Sequence, residues 1–103
     1  RSDSGIEFRS MSVNSVNKIV TIEGRDIKLT KKEFEILYML ASQPLKIFSR
    51  AQILDSVWQN ESYVLDRTID VHIARLRKKI EPYSTSIVNR SGYGYCFDPE
   101  EEG

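Results

Sequence analysis

Asp66-Arg67-Thr68-Ile69-Asp70-Val71-His72-Ile73-Ala74-Arg75-Leu76-Arg77-Lys78-Lys79-Ile80, residues 66–80, divides into two unlike faces when wound as a helix. Ile69, Ile73, Leu76 and Ile80 follow the i, i+4, i+7, i+11 stripe of a helix packed on a core. The opposite side carries Arg67, Val71, Ala74, Arg75 and Lys78. Lys79 lies at its edge, Arg77 at the other flank, and His72 beside the apolar stripe. Small and branched apolar residues therefore sit among cations on the outward side. A solvated surface helix can look like this. So can a helix built for a DNA major groove, where guanidinium and ammonium groups meet phosphates and guanine edges and a methyl group meets thymine.

The neighbouring segments give this helix a setting. Ser49-Arg50-Ala51-Gln52 is a capping box that opens a shorter helix, with Ile53, Leu54, Val57 and Trp58 turned inward. Residues 59–65 form a loop, Asp66 suits an N-cap, and Glu81-Pro82 closes the basic helix. Ser86-Ile87-Val88-Asn89-Arg90 reads as a strand, Ser91-Gly92-Tyr93-Gly94 as a turn, and Tyr95-Cys96-Phe97 as the returning strand. Upstream, Thr30-Lys31-Lys32-Glu33 is another capping box. Its helix presents Phe34, Leu37, Leu40 and Ala41 on one face and stops near Gln43-Pro44. Residues 6–29 alternate as strands: Ile6 and Phe8, Met11 and Val13, then Ile19-Val20-Thr21-Ile22. Ser15-Val16-Asn17 and Glu23-Gly24-Arg25 are the turns, and Ile27 and Leu29 follow. The order is about four antiparallel strands, three helices and a C-terminal hairpin. That is an α+β winged helix-turn-helix, with a longer connection before the basic helix than the usual three or four residues.

Composition sets the outer bounds. The chain has 103 residues, 40% hydrophobic and 29% charged, enough for one domain with a single small core. The expected division is a loose linker over 1–5, the domain over 6–98 and an acidic tail over 99–103. Fifteen basic and fifteen acidic residues cancel, but four of the acids fall at Asp98, Glu100, Glu101 and Glu102. Residues 67–80 hold five bases and one acid, Asp70, so the charge is sorted, and the local field counts for more than the sum. No apolar run approaches the roughly 18 residues of a membrane span. The lone Cys96 allows no internal disulfide, and nothing reads as a secretory leader, so the expected home is cytoplasmic. One His and one Cys supply neither a zinc site nor a Cys–His pair, and Gly92 and Gly94 precede no helix and lysine that could cradle a phosphate. The expectation is no catalysis, no metal and no cofactor. The start at Arg1, without methionine, reads as a piece of something longer.

Residues 25–97 resemble the effector domain of OmpR/PhoB-type response regulators, the output halves of bacterial two-component systems. Four motifs in order carry the likeness: Leu29-Thr30-Lys31-Lys32-Glu33-Phe34, Phe48-Ser49-Arg50-Ala51-Gln52-Ile53-Leu54, residues 66–80 in full, and Gly92-Tyr93-Gly94-Tyr95 with Phe97. The resemblance implies an N-terminal four-stranded sheet and an upstream receiver domain phosphorylated on aspartate. It implies tandem DNA half-sites, a monomer alone and a dimer on DNA. It also implies a loop touching RNA polymerase, here Gln59, Asn60, Glu61, Ser62 and Tyr63. Two positions depart from the pattern. Ser91 stands where many members have arginine, with Arg90 one residue earlier and so on the other strand face. The connection Gln43-Pro44-Leu45-Lys46-Ile47 lacks the expected glycine.

Position by position, Arg67, Val71, Ala74, Arg75 and Lys78 fall where family members face the groove. Arg77 and His72 match phosphate-contacting positions. Lys78 and Lys79 are phosphate candidates that could equally serve the helix C-terminus by charge–dipole attraction. Arg90 and Tyr93 are the hairpin's candidates, Arg67 could instead pair with Asp70, and Trp58 and Tyr95 read as core. The rival reading is a winged helix used only for protein contacts.

Overall fold

Two reciprocal caps set the helical half of the chain. In the computed structural model, which describes residues 5–59, 67–81 and 83–99, Thr30 Oγ1 accepts from the Glu33 amide and Glu33 Oε1 accepts from the Thr30 amide. Ser49 and Gln52 make the same exchange. The helices they open are α1 (Lys31–Ala41) and α2 (Arg50–Val57), followed by α3 (Arg67–Lys79). The N-cap expected at Asp66 and the closing Pro82 lie outside the described residues, as do residues 1–4, the loop 60–66 and the tail from 100 onward.

Ahead of them, β1 (Gly5–Phe8), β2 (Met11–Asn14), β3 (Ile19–Ile22) and β4 (Arg25–Ile27) form one antiparallel sheet in sequence order. Strand β1 takes in Gly5, one residue earlier than the expected linker boundary. The register lines up Ile6, Val13, Val20 and Ile27 in one row, and Phe8, Met11 and Ile22 in the next. These rows face the core, where Met11, Val13, Val20 and Ile22 are fully covered. The turn before β4 is the two-residue Glu23-Gly24, both at positive φ, as a hairpin twist requires; Arg25 already belongs to the strand.

The core joins α1 (Ile36, Leu37, Leu40), α2 (Ile53), α3 (Ile69, Ile73, Leu76) and Ile80 with Ile87 and Phe97. Each such side chain contributes about 1.5–3 kcal/mol of burial. Val57 and Trp58 are buried and Leu54 partly so, as expected for α2.

After α3 a short 3-10 turn (Tyr83–Ser86), not anticipated from sequence, leads into β5 (Ile87–Arg90) and β6 (Gly94–Phe97). Tyr83 and Phe97 both meet the Phe8 ring edge to face, which ties the N-terminal sheet to the end of the fold. The hairpin has company. Phe48 exchanges both backbone hydrogen bonds with Tyr95, at 2.8 and 2.9 Å, so β6 is flanked on both edges and all four of its residues are buried. Gly94 permits that approach. A Cβ there would lie 2.0 Å from the Phe48 carbonyl oxygen. The bend that delivers Phe48 is made by Leu45 at φ +73°, a left-handed residue within the connection Gln43-Pro44-Leu45-Lys46-Ile47 that lacks the expected glycine. Its amide donates to the Phe97 carbonyl at 2.8 Å.

Candidate nucleic-acid interface

Helix α3 lies with Ile69, Ile73 and Leu76 sealed in the core, and Ile80 sealed just beyond its end. Arg67, Val71, Ala74, Arg75 and Lys78 are all exposed on the other side. Val71 is 45% exposed, an apolar side chain held in water amid cations. Among the described residues, no ion pair involves Arg67, Arg75 or Lys78. The cationic face is presented outward, and no carboxylate among the described residues caps it.

The remaining basic residues of the helix turn elsewhere. Lys79, expected as a phosphate contact, instead reaches across to α1, where its ammonium lies 2.8 Å from Glu33 Oε1. Glu33 is only 1% exposed, and the same oxygen caps the Thr30 amide. Burial works against the charge on Glu33, yet the hydrogen bonds from Lys79 and Thr30 and the Lys79 charge hold its carboxyl below its ordinary value. A buried carboxylate needs a cation, and Lys79 supplies it. Arg77 donates from Nε to the Ser84 carbonyl at 3.0 Å, anchoring the 3-10 turn. His72 donates from Nδ1 to the Thr68 carbonyl at 2.9 Å and meets Trp58 edge to face at 5.1 Å. It is half-buried at the flank of the exposed face.

In the hairpin, Arg90 lies 3.3 Å from Asp98 at the end of the returning strand. Tyr93 stands at the turn, 74% exposed, its amide bonded back to the Arg90 carbonyl. Of the expected polymerase-contact loop, Gln59 is exposed and Asn60, Glu61, Ser62 and Tyr63 lie outside the described residues.

One cluster escaped the sequence reading. Asp70 does not pair with Arg67. Its Oδ1 accepts from Arg50 Nε at 2.8 Å and from the Tyr95 hydroxyl at 2.5 Å. Burial pushes the Asp70 carboxyl up, but the Tyr95 hydroxyl and the Arg50 guanidinium bring it below its usual value. Burial and the neighbouring carboxylate push the Tyr95 phenol up. The available signal was the single acid on a basic helix.

This arrangement of sheet, three helices and hairpin matches known proteins. The family profile described as "Transcriptional regulatory protein, C terminal" fits residues 24–97. The chain belongs to that family. Among curated members, the chain is 39% identical to the Bacillus subtilis transcriptional regulatory protein ResD over 95 residues, covering 88% of this chain and 40% of ResD. It is 36% identical to Staphylococcus aureus SrrA over 97 residues, covering 90% of this chain and 40% of SrrA. The chain thus spans about two fifths of these relatives' length. Among solved structures, Thermotoga maritima DrrB, an OmpR/PhoB homolog, superposes with a TM-score of 0.82 at 33% identity, covering 92% of this chain and 44% of DrrB. The Klebsiella pneumoniae RstA DNA-binding domain, solved in complex with the RstA box, superposes with a TM-score of 0.80 at 33% identity, covering 92% of this chain and 97% of that one. The winged-helix architecture expected from the sequence is the one these transcriptional regulatory domains share.

Proposed function

We propose that this domain binds double-stranded DNA sequence-specifically, as the output domain of a two-component response regulator that controls transcription. Helix α3 enters the major groove. The β5–β6 hairpin lies on the adjacent minor groove or backbone. The observation that carries the reading is the exposed face of α3, where Arg67, Arg75 and Lys78 surround Val71 and Ala74 with no ion pair to the described residues. The solved RstA relative, crystallised with its DNA box, supports it.

Within that reading, Arg67 and Arg75 address guanine edges or phosphates, and Val71 and Ala74 offer methyl contacts to thymine. Lys78 addresses phosphate, with Arg77 and His72 at the flank and Arg90 and Tyr93 in the hairpin. Lys79 serves the fold. The same reading extends to an upstream receiver domain, tandem half-sites, a monomer that dimerises on DNA, a contact with RNA polymerase through residues 59–63, and a cytoplasmic home. No helix among the described residues is long and apolar enough to cross a membrane.

Selection of bound duplexes from a random DNA pool tests the reading. The wild-type domain should enrich one motif. Arg75→Glu should abolish that enrichment while its circular dichroism and melting temperature stay those of wild type. A pool that yields no motif, with the domain folded, favours the protein-contact alternative.

A further inference from the structure

The acid on α3 is an electrostatic oddity. A carboxylate near the phosphates of a bound duplex weakens binding by simple repulsion, so Asp70 needs another reason to be there. Its surroundings supply one. A single oxygen, Oδ1, receives hydrogen bonds from two other elements at once: Arg50 Nε, on the first residue of α2, at 2.8 Å, and the Tyr95 hydroxyl, on β6, at 2.5 Å. The Arg50 guanidinium also lies over the Tyr95 ring, 5.6 Å from its centroid. Tyr95 is the residue whose backbone pairs with Phe48, just before α2. Hydrogen bonds to an ionised group are the short, strong ones, and a network that joins three elements through one atom fixes their relative placement.

We infer that Asp70 is the positioning residue of the interface: it locks the wing hairpin and the start of α2 to the first turn of α3, so that helix and wing meet one duplex together. Asp70 touches no DNA in this arrangement. It acts through Arg50 and Tyr95. The inference deepens the DNA-binding reading and rests on it for its consequence, though the lock itself belongs to the free protein.

Electrostatics alone and positioning give opposite signs. Asp70→Asn removes a negative charge beside the phosphates, so repulsion alone would raise affinity for every duplex. Positioning requires affinity for the duplex selected from a random pool to fall by about tenfold, the value of a lost charged hydrogen bond. Affinity for a scrambled duplex should hold or rise. Tyr95→Phe keeps the ring and deletes only the hydroxyl, and should reproduce the loss for the selected duplex without altering charge. The double variant should lose no more than the worse single one, because both act through one contact.

Amide hydrogen exchange reads the lock without DNA. In Asp70→Asn, amides of residues 87–97 should exchange about tenfold faster, while those of α1 keep their wild-type protection. If exchange in the hairpin is unchanged, or if Asp70→Asn binds the selected duplex as well as wild type or better, the positioning role is overturned and the DNA-binding reading stands. If the wild-type domain selects no duplex, that reading fails, and the exchange result alone decides whether Asp70 holds the hairpin.

Discussion

Leu45 keeps φ at +73° with 60% of its surface in water, so strain at its backbone is set against little side-chain burial. A left-handed leucine costs about 1–2 kcal/mol, and glycine would lose about 0.5–1 kcal/mol to unfolded-state freedom. Leu45→Gly should therefore stabilise the domain by up to about 1 kcal/mol, read as a higher melting temperature. A lower one would mean that Leu45 makes contacts worth more than its strain. Lys79 and Glu33 give the opposite case. Lys79→Met leaves a buried carboxylate unpaired and should cost about 1–3 kcal/mol in urea unfolding. Duplex affinity of the folded fraction should stay within about twofold; a larger drop would restore Lys79 to the phosphate contacts. Because folding lowers the Glu33 pKa, the unfolded chain binds that proton more tightly. Its contribution is complete above the ordinary carboxylate value, about 4.3, and disappears as pH falls through the lower folded value. Glu33→Gln should lose part of the wild-type slope of stability against pH below about 5, and an unchanged slope would place the acid sensitivity elsewhere.

At the scale of elements, the hairpin depends on the one glycine that a neighbouring strand presses against. Gly94→Ala puts a methyl group into the Phe48 carbonyl at φ +142° and should destabilise by about 3 kcal/mol or more, measured by denaturant unfolding. A small effect would mean that the Phe48 edge is not tightly held. The elements themselves were legible because each carried a local signature. The two capping boxes opened helices where Thr30 and Ser49 marked them, and the apolar stripe over 66–80 became the helix Arg67–Lys79. The third neighbour of the hairpin was not legible. Phe48 pairs with Tyr95 across 47 positions of sequence, and no periodicity within either segment records that pairing. The 3-10 turn at Tyr83–Ser86 was missed for a like reason: its ring contact with Phe8 is tertiary.

Over the whole molecule, charge neutrality conceals a division of labour. Three acids are occupied within the fold: Glu33 with Lys79, Asp70 with Arg50 and Tyr95, and Asp98 with Arg90. What remains outward on α3 is positive. The outward set of Arg67, Val71, Ala74, Arg75 and Lys78 was readable from helical geometry alone. The diversion of Lys79 inward was not, because Glu33 lies 46 residues away. A face with about four phosphate contacts should release counterions on binding, giving a slope of log K against log salt of about −3 to −4. Titration of the wild-type domain with duplex DNA across a salt series measures that slope directly. A value in that range supports the account of α3 as a cationic groove-reading helix; a slope near zero, or no binding at the lowest salt, contradicts it.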